Sequence, residues 1–145
     1  MTVRILGLDI GEARIGVAVS DAAGVVASPL MVLDARALAR DITPLRRLVD
    51  DYEVTALVAG LPLTMAGEEG PQAEAVRLAA DRIAAALGMP IAYLDERLSS
   101  RAASRLMTTA GESTRRQRGR LDMVAATYVL QGYLDAQRRL ASDDE

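Results

Sequence analysis

The 145-residue chain has no cysteine, histidine, lysine, phenylalanine or tryptophan. Each absence removes a class of chemistry. Without cysteine there is no thiol nucleophile, disulfide or thiolate metal site. Without histidine there is no Ser-His triad, no imidazole base and no ordinary zinc site. Without lysine there is neither a Schiff base nor a phosphate-binding P-loop. Catalysis must rest on carboxylates, arginine, hydroxyls or backbone groups. A bound metal should then be a hard cation held by oxygen, such as Mg²⁺ or Mn²⁺. No apolar run approaches the roughly 18–20 residues that span a bilayer. The opening Met1–Asp9 segment is too short, and too soon charged, for a signal peptide. A cytoplasmic protein is expected.

What is present describes a folded domain. Half the residues are apolar and the formal net charge is −3, which argues against disorder. The core must be built from Ala, Leu, Val and Ile, with four Tyr. The length suits a single domain, expected over residues 1–141, with a disordered tail over 142–145. Three β-like runs come first: Ile5 to Asp9, Arg14 to Asp21 and Val25 to Leu33. Short turns between them predict an antiparallel meander. Pro29 marks the third run as an edge strand. Ala35 to Tyr52 reads as helix, starting or broken at Thr43-Pro44. A strand over Thr55 to Gly60 follows, then a loop from Leu61 to Gly70. Pro71 to Leu87 has one apolar face (Val76, Ala80, Ile83, Leu87) and ends at Gly88. Ile91 to Leu94 is a fifth strand, and Ser99 can cap a helix to about Ala110. Gly111 to Gly119 reads as a loop, and Leu121 to about Leu140 as a last helix. A meander followed by alternating helix and strand predicts an α/β fold with a mixed sheet flanked by helices.

Several constellations could carry chemistry. Asp9 closes the first strand just before Gly11, where a carboxylate is either a turn acceptor or a rigidly held ligand. Asp95-Glu96-Arg97 closes the fifth strand. Neighbouring strand residues point to opposite faces, so only one of the two acids can join Asp9. Paired carboxylates repel, and a divalent cation relieves that repulsion. Asp122 suits the macrodipole of a helix first turn, yet it heads the stripe Asp122, Ala126, Val129, Tyr133, which faces inward. From Arg97 to Leu121 there are seven Arg and one acid, a net +6, so the rest of the chain carries −9. Arg115, Arg116, Arg118 and Arg120 in a Gly-flanked loop fit phosphate-backbone binding. Gly7, Gly11 and Gly16 permit tight turns or close approach of a phosphate, as in an actin-like ATPase.

Four blocks together resemble one family: LGLDIGEARIGVAVSD (6–21), VAGLPLTMAGEEG (58–70), LDERLSS (94–100) and LDMVAATYVLQGYL (121–134). They are similar to the YqgF/RuvX family, whose members are described as Holliday junction resolvases and as pre-16S ribosomal RNA processing nucleases. The resemblance covers nearly the whole chain in the family's block order. Arg stands where relatives often carry Lys in the basic segment, which keeps the charge. The resemblance implies an RNase H-like fold, a five-stranded mixed sheet beginning with a three-stranded antiparallel part. It implies an acidic metal site of Asp9, Glu96 and Asp122, with Asp95 the substitute for Glu96. These would hold Mg²⁺ or Mn²⁺ for hydrolysis of a phosphodiester in a nucleic acid, either structured RNA such as pre-rRNA or branched DNA. Arg97 would steady the phosphate or pair with Asp95, and Arg115, Arg116, Arg118 and Arg120 would follow the backbone. Arg14 would act in the site or form an ion pair beside its strand. The loop from Leu61 to Gly70 would bound the substrate groove. A monomer or homodimer is compatible with the sequence. A non-catalytic nucleic-acid-binding module and a nucleotide-dependent phosphotransferase remain as rivals.

Overall fold

The computed structural model describes residues 4–98 and 115–143. Strands β1 (Arg4–Ile10), β2 (Arg14–Ser20) and β3 (Ala27–Asp34) form the meander. Helices α1 (Ala35–Arg40) and α2 (Thr43–Asp51) follow, then β4 (Val54–Leu61), α3 (Pro71–Leu87) and β5 (Ile91–Asp95). A single 3-10 turn (Glu96–Leu98) leaves β5, and a long helix α4 (Arg115–Asp143) ends the described chain. The sheet order is β3-β2-β1-β4-β5. β2 runs antiparallel to β1 and β3, while β4 runs parallel to β1 and β5. This is the five-stranded mixed sheet the sequence predicts.

Local chemistry explains the boundaries. The Gly11 N–H donates to the Arg14 carbonyl at 2.9 Å and closes the first hairpin. Asp21 closes the second by accepting from Val25 N at 2.7 Å and Val26 N at 3.1 Å. β3 lies at the sheet edge, and Pro29 sits opposite Ala18 beside a register irregularity, where a missing N–H does least harm. The helix read over Ala35 to Tyr52 is broken. Asp41 turns extended (φ −148°) and its Oδ1 accepts from Thr43 N at 3.0 Å. Pro44 then sits in the first turn of α2, where its absent N–H is not missed. Gly88 ends α3 in the left-handed conformation, at φ 65°.

Helix α4 departs furthest from expectation. It begins at Arg115 rather than Leu121 and runs on through Ser142 to Asp143. Gly119, read as a loop residue, lies within it; a Cβ there would meet Val32 of β3 at ordinary contact distance. A helix-interior glycine costs only about 1 kcal/mol, which the packing of the helix against the sheet outweighs. The helix expected from Ser99 to about Ala110 lies outside the described residues.

Alternation along the strands separates two faces. Leu6, Leu8, Ile15, Val17, Leu57 and Ala59 pack with buried residues of α1, α2 and α3. Ile5, Ala18, Val58 and Leu94 pack with Ala126, Val129, Leu130 and Leu134 of α4. Among the described residues Ser20 is the only fully buried polar side chain. Its Oγ accepts from Ile5 N at 2.9 Å and donates to the Asp21 carbonyl at 3.1 Å, so it is satisfied.

Candidate functional site

The site is built where α4 lies on the sheet, and the sheet there is made of glycine. A Cβ on Gly7 would stand 2.6 Å from Leu130 Cβ and 3.0 Å from the Ala126 carbonyl oxygen. A Cβ on Gly16 would overlap the carbonyl group of Asp122 itself. A Cβ on Gly60 would stand 2.8 Å from Val129 Cγ2 and 2.9 Å from Glu96 Cγ. Gly7 and Gly16 let the α4 backbone rest directly on the strands, and Gly60 leaves room for the side chains of Val129 and Glu96. Gly7 and Gly16 therefore seat α4 rather than cradle a phosphate, and Gly11 serves the hairpin. The phosphotransferase rival loses the feature that motivated it.

That seating decides where the acids stand. Asp9 pairs with Gly16 across β1 and β2, and it shares the α4 face with Ile5 and Gly7 by strand alternation. Leu94 of β5 also belongs to this face and pairs with Gly60. Glu96 lies two residues beyond Leu94, in the 3-10 turn, with its Cγ and Oε1 over Gly60 beside Val129. Asp95 faces the other way. It is bound by Arg97, whose Nε lies 2.9 Å and Nη2 2.6 Å from Asp95 Oδ2. Strand alternation left both acids open, and the family resemblance implied Glu96. Glu96 is the one that joins the face of Asp9.

Asp122 projects from α4 onto the same face, with its side chain about one-fifth exposed. It is the eighth residue of a helix that starts at Arg115, not a first-turn residue. The macrodipole fades within one turn, so that explanation for an acid here falls. Asp122 instead pairs with Arg14, whose Nε donates to Oδ2 at 2.6 Å. Arg14 begins β2 and shares the face of Gly16 and Ala18. The structure thus resolves the two alternatives for Arg14 into one arrangement: it forms an ion pair, and the partner is a candidate ligand.

Among the described residues no three acidic side chains already stand close enough together to hold a metal ion. Asp9, Glu96 and Asp122 share a face, and Asp122 is engaged by Arg14. As a donor set, three carboxylates suit a hard divalent cation.

Arg97 does more than pair with Asp95. It also reaches the loop between β4 and α3, where Nη1 lies 3.5 Å from the Met65 carbonyl and the guanidinium rests against Gly67 (φ 82°). The loop holds itself through Thr64, whose Oγ1 accepts from Glu68 N at 3.1 Å while its carbonyl accepts from Gly67 N at 2.8 Å. Asp95 raises the Arg97 pKa by hydrogen bonding and charge. Arg118 and Arg120 are exposed on the opening turns of α4 rather than in a loop. Arg115 and Arg116 open that helix; their side chains lie outside the description.

Sequence reasoning missed the seating glycines and Gln131. The Gln131 side chain accepts from Ala27 N and donates to the Val25 carbonyl, both at 2.9 Å, tying α4 to the start of β3. Gly60 carried a usable signal, since it lies two residues after Val58 on a strand face.

Comparison with known proteins agrees with this architecture. A curated protein of Moorella thermoacetica, named "Putative pre-16S rRNA nuclease", is 51% identical over 132 residues, covering 91% of this chain and 94% of that one. One of the same name from Chloroflexus aurantiacus is 47% identical, covering 92% and 88%. Among solved structures, T. thermophilus RuvC in complex with Holliday junction substrate superposes with a TM-score of 0.59. It is 14% identical, with 94% of this chain and 96% of that one covered, and shows a shared RNase H-like fold. The family described as RuvX, Holliday junction resolvase, matches residues 3–136. The chain belongs to the RuvX family.

Proposed function

We propose that this protein is a nuclease that hydrolyses phosphodiester bonds in structured RNA, acting at the 5′ end of pre-16S ribosomal RNA in the cytoplasm. The observation that carries the reading is that Asp9 and Glu96, at the carboxyl ends of parallel strands β1 and β5, share one face with Asp122 of the overlying helix α4. Open sheets of this kind bind ligands at those strand ends. The names of the relatives support the substrate. In this reading Asp9, Glu96 and Asp122 hold Mg²⁺ or Mn²⁺, which when bound supplies an activated water and charge stabilisation at the phosphate. No protein residue among the three acids needs to be an imidazole-like base, which suits a chain without histidine. Arg118 and Arg120, with Arg115 and Arg116, draw the nucleic-acid backbone toward the site. Arg97, held by Asp95, braces the β4–α3 loop at Met65 and Gly67 and so shapes one wall of the groove.

The description of the family favours a second reading, resolution of four-way DNA junctions. That task requires two related active sites and hence a dimer.

The test is cleavage by wild type and Asp9→Asn of single-stranded RNA, structured pre-rRNA ends, duplex DNA and a four-way junction, each with Mg²⁺, Mn²⁺ or EDTA. Metal-dependent cleavage of pre-rRNA ends by wild type alone is the expected result. Preference for the junction would select the second reading. Salt-sensitive binding without any cleavage would leave a binding module.

A further inference from the structure

Asp122 is held by Arg14, and the two lie on the face that carries Asp9 and Glu96. The backbone of Asp122 lies directly against Gly16. Its carboxylate can leave Arg14 by turning about its side-chain bonds, with the backbone left in place. The pair is partly exposed, at 35% for Arg14 and 22% for Asp122, so water and ions reach it and it is readily exchanged. Among the described residues the contact uses one guanidinium nitrogen, Nε, whereas a guanidinium can present a two-pronged edge to phosphate.

We propose that Arg14 is an exchange residue. It holds the Asp122 carboxylate, gives it up when a divalent cation is bound, and is then placed to take a phosphate oxygen of the nucleic acid. The proposal rests on the metal-site reading above and adds a residue that the reading does not require. Asp122 and Arg14 each keep an opposite charge beside them in both states. Before loading, one cation neutralises one carboxylate. After loading, the carboxylate faces the metal and the guanidinium faces the phosphate. Metal and substrate binding are then coupled through one side chain.

Two measurements test this. The first compares Mn²⁺ binding to wild type and Arg14→Gln by the loss of the free-ion electron paramagnetic resonance signal. Removing the competing positive charge should tighten Mn²⁺ binding by about tenfold, a scale set by one charge at close range in a partly solvated site. Cleavage at saturating Mn²⁺ should nevertheless fall by about tenfold, because the phosphate loses its partner. A role limited to structure would weaken both, and weaker Mn²⁺ binding by a folded Arg14→Gln overturns the proposal. The second measurement uses wild type alone and so does not depend on how the variant folds. The Arg14 Nε–H resonance should lose its protection from exchange as Mg²⁺ is added. If Mg²⁺ perturbs the Asp9 and Asp122 amides while Arg14 Nε–H stays unchanged, the exchange is overturned and the metal site stands. If Mn²⁺ does not bind wild type, or binds Asp9→Asn equally well, the metal-site reading fails and takes the exchange with it.

Discussion

The two faces of the sheet are built by opposite rules. The face under α1, α2 and α3 is filled by large side chains, with Leu6, Leu8, Leu45 and Leu57 almost wholly buried. The face under α4 is stripped at its centre to Gly7, Gly16 and Gly60 and carries Asp9, Arg14 and Glu96 toward its open end. On the first face, separation between helix and sheet is set by side-chain volume. On the second, at Gly7 and Gly16, it is set by helix backbone lying on the strand. Stability can be spread over many interchangeable apolar contacts, whereas a ligand position must be fixed to a fraction of an ångström. Seating the helix that carries Asp122 on bare glycine fixes it that way.

The comparison breaks most sharply at one residue from each face. Asp9→Asn should change unfolding far less than a core truncation does and lower metal-dependent cleavage by more than about a hundredfold, since even outer partners of metal ligands are worth 10–100-fold. Leu57→Ala should do the reverse. It should cost roughly 2–5 kcal/mol in denaturant unfolding with little change in activity per folded molecule. Equal effects of both on stability would show that Asp9 is structural.

Gly16→Ala sharpens the contrast, because its added methyl meets the Asp122 backbone and cannot be absorbed by a flexible side chain. Overpacking of this kind costs roughly 1–3 kcal/mol. Unlike Leu57→Ala, it should also depress cleavage by displacing Asp122. Thermal unfolding alongside cleavage at saturating substrate checks both halves. Ser20→Ala should cost about 1–2 kcal/mol by leaving the Ile5 N–H without its buried acceptor, and activity should be spared.

Much of this was legible in the sequence. The meander, the edge strand at Pro29, helix 71–87 with its Gly88 cap and the parallel strands all follow from local periodicity and turn chemistry. The three candidate acids were named from their blocks, and the structure puts them on one face of the sheet. The seating role of the glycines was not legible, because a glycine in a strand reads the same whether a turn, a phosphate or a helix approaches it. Only the third dimension shows which one does. The start of α4 was misread for a related reason. Gly119 and the arginines carry loop-like local signals, and packing of the helix over β3 overrides them. Alternation alone left Asp95 and Glu96 open, since it gives opposite faces without saying which is which; the resemblance implied Glu96, and the sheet shows that Glu96 shares the face of Asp9.

The smallest effect expected tests the rim, away from both packed faces. Asp21 accepts hydrogen bonds from Val25 N and Val26 N in the β2–β3 turn, and these bonds hold its pKa below the ordinary 3.8. A carboxyl with a depressed folded pKa binds its proton more weakly folded than unfolded. Its contribution is therefore complete above the unfolded value and is lost as pH falls through the folded one. Wild type should thus lose stability from about pH 4 downward more steeply than Asp21→Asn, whose amide cannot titrate. At neutral pH the two should differ little, because the turn is exposed and an amide oxygen can still accept. Melting curves of both proteins from pH 7 to pH 3 read the difference, and parallel curves would show that the turn bonds do not survive in solution. Cleavage at neutral pH should be the same in both, since Asp21 touches none of the candidate site residues through its turn bonds to Val25 and Val26.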